Sequence, residues 1–216
     1  MSESRGWREL TVGYVLVTAG LLLDLPTIGA SEIPVVVSIG IAALIAAGIL
    51  LGAAGMLRLR AALPAVDRGA RRGLGLQGTG MIVLLLGVLA LQVSSSITVL
   101  LVSAVLVAVA AVMTIAGVLL LRRHHIDVGI ERAAQVDYLL IGVALIFVGV
   151  IVILGSKLGY YFLLPDVTST VVNDAGAAIS ACGCVIAAHS SFLMRASIRD
   201  EEQRTHNSSR TFAATG

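Results

Sequence analysis

Residues 73–121 read GLGLQGTGMIVLLLGVLALQVSSSITVLLVSAVLVAVAAVMTIAGVLLL, and no side chain between Arg72 and Arg122 carries a charge. As one helix, these 49 residues would run about 74 Å at about 1.5 Å per residue. A bilayer's hydrocarbon core is only about 30 Å thick. The stretch therefore reads as two membrane spans joined by a turn. Gln92-Val93-Ser94-Ser95-Ser96 is its only polar cluster, so the turn is placed there, with spans at 74–91 and 97–121.

The rest of the chain has the same character. Of its 216 residues, 57% are apolar and 13% charged, and the mean hydropathy is +0.98. Soluble domains carry about 25% charged residues. This composition excludes a soluble enzyme, a nucleic-acid-binding module and a disordered chain, and leaves an all-α polytopic membrane protein. Further spans are expected at 34–57, with Pro34 in the first helical turn, at 138–156 and at 175–194.

A sixth span is expected between Glu9 and Asp24, which enclose only 14 uncharged residues. The chain then turns through Leu25-Pro26-Thr27-Ile28-Gly29-Ala30. A rival reading exists here. Arg5 and Arg8, the apolar stretch and Gly29-Ala30 also fit a cleaved signal peptide. Retention is preferred because it keeps the repeat described below.

Basic residues set the orientation. Fourteen of the fifteen Lys and Arg fall in 1–9, 58–72, 122–136 and the segment from 195 onward. The opposite loops carry only Lys157, together with the acids Asp24, Glu32, Asp166 and Asp174. The positive-inside rule then places both termini in the cytoplasm and requires an even number of crossings. Trp7, Tyr138 and Phe192 are expected at the inner interface and Tyr160, Tyr161 and Phe162 at the outer one, where amphipathic rings anchor. Arginine outnumbers lysine fourteen to one, the usage of a GC-rich prokaryotic genome.

The odd-numbered spans share a pattern. Gly13 and Gly20, Gly80 and Gly87, and Gly142 and Gly149 are each seven residues apart, about two helical turns, so each pair lies on one face. Each even-numbered span ends in small residues followed by Arg58, Arg122 or Arg195. The chain reads as three tandem helical hairpins, with repeats at about 7–60, 73–123 and 135–195. All three start on the same side, unlike the inverted repeats of many transporters. Residues 1–194 form the six-helix transmembrane domain, and 195–216 a disordered cytoplasmic tail. Glycines on fixed faces let helix backbones approach closely in lipid. Gly48 with Gly52 make one such face. Gly176, Ser180, Cys184 and Ala188 make another.

Three tandem hairpins, both ends inside, paired glycines on odd helices and arginine after even ones resemble the HdeD-like family of small membrane proteins. The first copy, Gly20-Leu-Leu-Leu-Asp-Leu-Pro26, is similar to that family's pattern of glycine, apolar stretch and proline. The other copies lack the proline; Gln92 and Lys157 stand in comparable places. The resemblance covers about residues 7–197 and implies the six-helix fold and a link to acid-stress resistance. It implies no catalytic residues.

Chemistry-bearing motifs are few. Gly73-Leu-Gly75-Leu-Gln77-Gly78 matches the dinucleotide fingerprint, but no strand precedes it, so it reads as a small-residue entry to a span. Cys182 and Cys184 point in nearly opposite directions on a helix and read as small core residues. Cys182 and His189 share a face, but their rise of roughly 10 Å is too long for one metal ion. His189 is a titratable group inside a span and a weak candidate for sensing or relaying a proton; the plainer reading has it reaching the interface. Asp137 could pair with it, although an acid in the first turn of a helix is favoured by the dipole alone.

No charged residue falls in the middle third of any expected span, where ion-coupled transporters place one. No nucleophile with its base and acid stands at membrane depth. The expected function is therefore a non-enzymatic membrane protein of structural or stress-related role, without cofactor or metal. The alternative is an uncoupled channel or permease for a small neutral solute. The expected partners are the lipid bilayer and anionic headgroups beside the basic loops; a homo-oligomer is compatible with the small-residue faces, and nucleic acid is not expected. Asn207-Ser208-Ser209, a glycosylation triplet, is expected to be unmodified on a cytoplasmic tail.

Overall fold

The computed structural model describes residues 3–24, 35–64, 66–93, 96–128, 130–162 and 167–214. All of its regular structure is helical: α1 (Glu3–Asp24), α2 (Val35–Ala62), α3 (Arg68–Val93), α4 (Ile97–Val128), α5 (Ile130–Phe162) and α6 (Val167–Ala214). Five of these, α2 to α6, are long and apolar enough to cross a membrane. The 25–30 turn, Pro34, Glu32, Asp166, Ser94 and Ser95 lie outside the described residues, as do the side chains of Gln92, Tyr160, Tyr161, Phe162 and Asn207.

Every helix is longer than the span read from the sequence. Hydropathy marks the part that suits hydrocarbon, whereas the helix continues until something stops it. Arginine and leucine are good helix formers, so α2 runs through Arg58 and Arg60 until Pro64, which has no amide to donate. α4 starts at a serine cap: Ser96 accepts hydrogen bonds from the Val99 amide at its hydroxyl (3.4 Å) and from the Leu100 amide at its carbonyl (3.0 Å).

The expected disordered tail is corrected. Helix α6 continues unbroken to Ala214. No glycine or proline interrupts it after Gly183, Asp200 stands four residues before Arg204 in the favourable order, and Ile198 is buried in the core.

Close backbone approach among the described residues follows a simple rule. Each of α2 to α5 packs on the helices before and after it, and α1 closes on α6. The result is a ring of six helices. The most extensive contacts are α1 with α2, α3 with α4 and α5 with α6, and these three pairs are antiparallel.

One contact recurs in all three. A methyl group on Gly13 would stand 2.6 Å from the Gly48 carbonyl oxygen and 2.8 Å from the Gly52 amide nitrogen. On Gly80 it would meet the Thr114 hydroxyl oxygen first and stand 3.1 Å from the Ala110 oxygen and 3.2 Å from the Thr114 nitrogen. On Gly142 it would meet the Gly183 oxygen and the Ala187 nitrogen, each at 2.7 Å. In each case a glycine of the earlier helix faces a carbonyl and the amide four residues on in the later one. A Cβ would push the backbones apart. A methyl on Gly176 would stand just as close to Gly149, 2.7 Å from its oxygen; on Gly20 it would meet the Ile45 side chain at 2.6 Å, and on Gly87 it would make looser contacts, 3.3 Å from Leu106 and Val107.

The outer surface is apolar. Val36, Leu50, Val105, Val112, Val148 and Val185 are exposed. A belt of this kind is unfavourable in water and natural in lipid.

Candidate functional site

The centre of the ring holds a cavity of about 160 Å³, lined by residues of all six helices. Its walls come chiefly from the odd helices, in layers. Tyr14, Met81 and Val143 form the deepest; Val17, Leu84 and Ile146 the next; Leu21, Val88 and Val150 the next. Within each layer the three residues are related by the same offsets, 67 and 62, as Gly13, Gly80 and Gly142. Asp24, Lys157 and Asn173 stand at the mouth, the end of the ring opposite the arginines.

Below Tyr14 the ring is filled. Leu10, Gln77 and Leu139, the next set at those offsets, are 0%, 1% and 0% exposed. Beneath them lie Trp7, Leu74 and Val136, all buried. Trp7 thus packs inside the ring, which corrects its expected place at the inner interface. Its indole nitrogen has no hydrogen-bond partner, so it follows its apolar area into the core.

Gln77 is the exception in its layer. Both polar atoms of its amide are buried without a partner. An amide buried in this way costs about 1–3 kcal/mol, and the two equivalent positions are leucine. Sequence reading passed over Gln77 as part of a glycine motif; aligning the copies on Gly13, Gly80 and Gly142 would have found it.

Two hydroxyls higher in the cavity are already engaged, while the Asn173 Oδ1 at the mouth is buried without a partner. Thr114 Oγ1 donates to the Ala110 carbonyl at 2.7 Å, and Ser180 Oγ donates to the Ile146 carbonyl at 3.1 Å across the α5–α6 seam. Thr18 Oγ1 donates to the Tyr14 carbonyl at 2.9 Å and also stands within reach of the Cys184 thiol on α6.

At the basic end, charges pair between helices. Glu9, nearly buried, pairs with Arg58 of α2 and lies 3.5 Å from Arg5. Asp137 accepts from Arg122 at both carboxylate oxygens, the second at 3.2 Å. This corrects the reading of Asp137. Helix α5 starts at Ile130, so Asp137 is two turns inside it, beyond the first turn where the dipole acts, and its partner is Arg122. His189 is exposed on the outer stripe of α6 with Cys182, Val185 and Phe192. The structure does not bring His189 and Asp137 together. Cys184 is buried and Cys182 exposed, so only the first is the small core residue expected of both. The ring-facing stripe of α6 runs through Ser180, Cys184, Ala187 and Ser191, leaving Cys182 opposite.

Gly73 packs on the Gly117 carbonyl inside the continuous helix α3, a packing role for the fingerprint-like stretch. Among the described residues no three His, Cys, Asp or Glu are grouped as metal ligands. No known protein family, curated protein or solved structure matches the chain.

Proposed function

We propose that the chain is a non-enzymatic integral membrane protein that crosses the bilayer six times as three tandem hairpins, with both ends on the cytoplasmic side. Its role is structural or stress-related, the latter carried by the resemblance to the HdeD-like family. The recurrent glycine contact and the layers at offsets 67 and 62 support the triplication. The exposed apolar belt and the one-sided arginines support the six crossings and their direction. Helix α1 has about 21 Å of uncharged length, and the pairing of Glu9 with Arg58 reduces the cost of its charged end.

One observation carries the non-conducting reading: two successive layers, Leu10 with Gln77 and Leu139, and Trp7 with Leu74 and Val136, are buried across the ring. A pore would need a wetted path there. The test is solute flux in proteoliposomes of purified protein. Water, glycerol and urea should cross no faster than in protein-free vesicles. Flux well above that background would remove this reading and favour the second, a channel or permease for a small neutral solute. Gln77 supports that second reading, since its unpaired amide lies in the constriction and could serve a passing solute. In that case Gln77→Leu should abolish the flux.

A further inference from the structure

We infer that the central cavity is a binding site for a neutral, hydrocarbon-like group of about benzene's size, either a free small molecule or the end of a lipid acyl chain. This inference goes beyond the proposed role and holds whether or not the ring conducts.

Size comes first. At about 160 Å³, the space is close to that of an engineered apolar cavity of about 150 Å³, which stays dry and takes up benzene or xenon. Wall chemistry comes second. Six of the lining side chains, Val17, Leu21, Leu84, Val88, Ile146 and Val150, fill two sets of equivalent positions on α1, α3 and α5 without a polar atom. The hydroxyls of Thr114 and Ser180 already donate to protein carbonyls. A water molecule needs about two to four polar partners to be held in such a place, and these two layers supply none; the unpartnered Asn173 Oδ1 belongs to the mouth. An apolar occupant gains dispersion contacts with these walls.

The mouth adds a charge criterion. Asp24 and Lys157 both line it, so the two charges of the lining cancel and the lining itself selects for neither an anion nor a cation. The filled layers below Tyr14 limit depth, so a long chain could insert only its end.

The experiment uses the full chain in nanodiscs of saturated phosphatidylcholine, with two photoreactive probes. One is 3-trifluoromethyl-3-phenyldiazirine, a small neutral molecule built on a phenyl ring. The other is a phosphatidylcholine bearing a diazirine at the acyl terminus. After illumination, peptide mass mapping should find adducts on Val17, Leu84 and Ile146 that saturate with probe and are competed at least fivefold by benzene. Adducts on the outward Val185 and Phe192 should rise linearly and resist competition. Filling the cavity with Val17→Phe should remove the inner adducts and spare the outer ones. Where that variant does not fold, Val17→Ile should reduce them in proportion to the volume lost. Saturable labelling by the small probe alone assigns a free molecule, by the lipid probe alone an acyl end, and by both the shared chemistry. Absence of saturable inner adducts with either probe, or inner adducts that persist in a folded Val17→Phe, would overturn the inference.

Discussion

Replacing Gly13 by alanine tests the packing directly. The new methyl would lie 2.6 Å from the Gly48 oxygen and 2.8 Å from the Gly52 nitrogen. Both atoms belong to backbone, so neither can rotate away. Ordinary contact needs about 3.5 Å or more, so α1 and α2 must part by about 1 Å, and a gap of that size forfeits roughly a quarter to a half of each contact's attraction along the seam. Overpacking of this kind costs about 1–3 kcal/mol. Gly80→Ala and Gly142→Ala should each cost about the same. The three seams share no partner, so the triple variant should lose roughly the sum. Gly40 and Gly155 are the controls, with nothing within 4 Å of an added methyl. Alanine there should be neutral or stabilise by up to about 1 kcal/mol, because it is the better helix former. Equilibrium unfolding in mixed micelles with increasing dodecyl sulfate measures all five. If seam and control glycines respond alike, the close-approach argument is refuted.

Gln77→Leu should stabilise the chain by about 1–3 kcal/mol in the same assay, because it removes two unpartnered buried polar atoms and completes a leucine layer. Destabilisation would mean that the amide has a partner in the membrane. Arg58→Ala should cost about 1–3 kcal/mol, since it leaves the nearly buried Glu9 carboxylate with only Arg5. Arg122→Ala should cost less than Arg58→Ala and lose its effect in high salt, because the pair with Asp137 is exposed; equal costs would contradict the burial assigned to Glu9. Thr18→Cys in a Cys182→Ala background should form an oxidant-induced crosslink with the native Cys184, seen as faster migration on a gel. No crosslink would open the ring between α1 and α6.

Much of the fold was legible because its physics is one-dimensional. The charge-free run between Arg72 and Arg122 and the serine cluster at its centre located α3, α4 and the break between them. Glycines seven residues apart marked one face on each of α1, α3 and α5, and Gly13, Gly80 and Gly142 lie against α2, α4 and α6. The helix ends were not legible: Arg60, Arg123 and Arg199 suit a helix as well as they suit a loop. Nor was the cavity, which is assembled from residues up to about 170 positions apart. The sequence drew attention to His189 and Asp137 because they titrate, yet one faces outward and the other is engaged by Arg122. The residues at the centre of the site, Tyr14, Gln77 and Ser180, are uncharged and differ from ordinary span residues only through their place in the ring.

Labelling by a membrane-impermeant maleimide tests the sidedness of the crossings after α2 most directly, with single cysteines at Val66, Ser96 and Arg204 in a chain lacking Cys182 and Cys184. In intact cells only Ser96→Cys should react, and Val66→Cys and Arg204→Cys should react once the membrane is permeabilised. Reaction of Val66→Cys and Arg204→Cys from opposite sides would require an odd number of crossings after α2 and contradict the account.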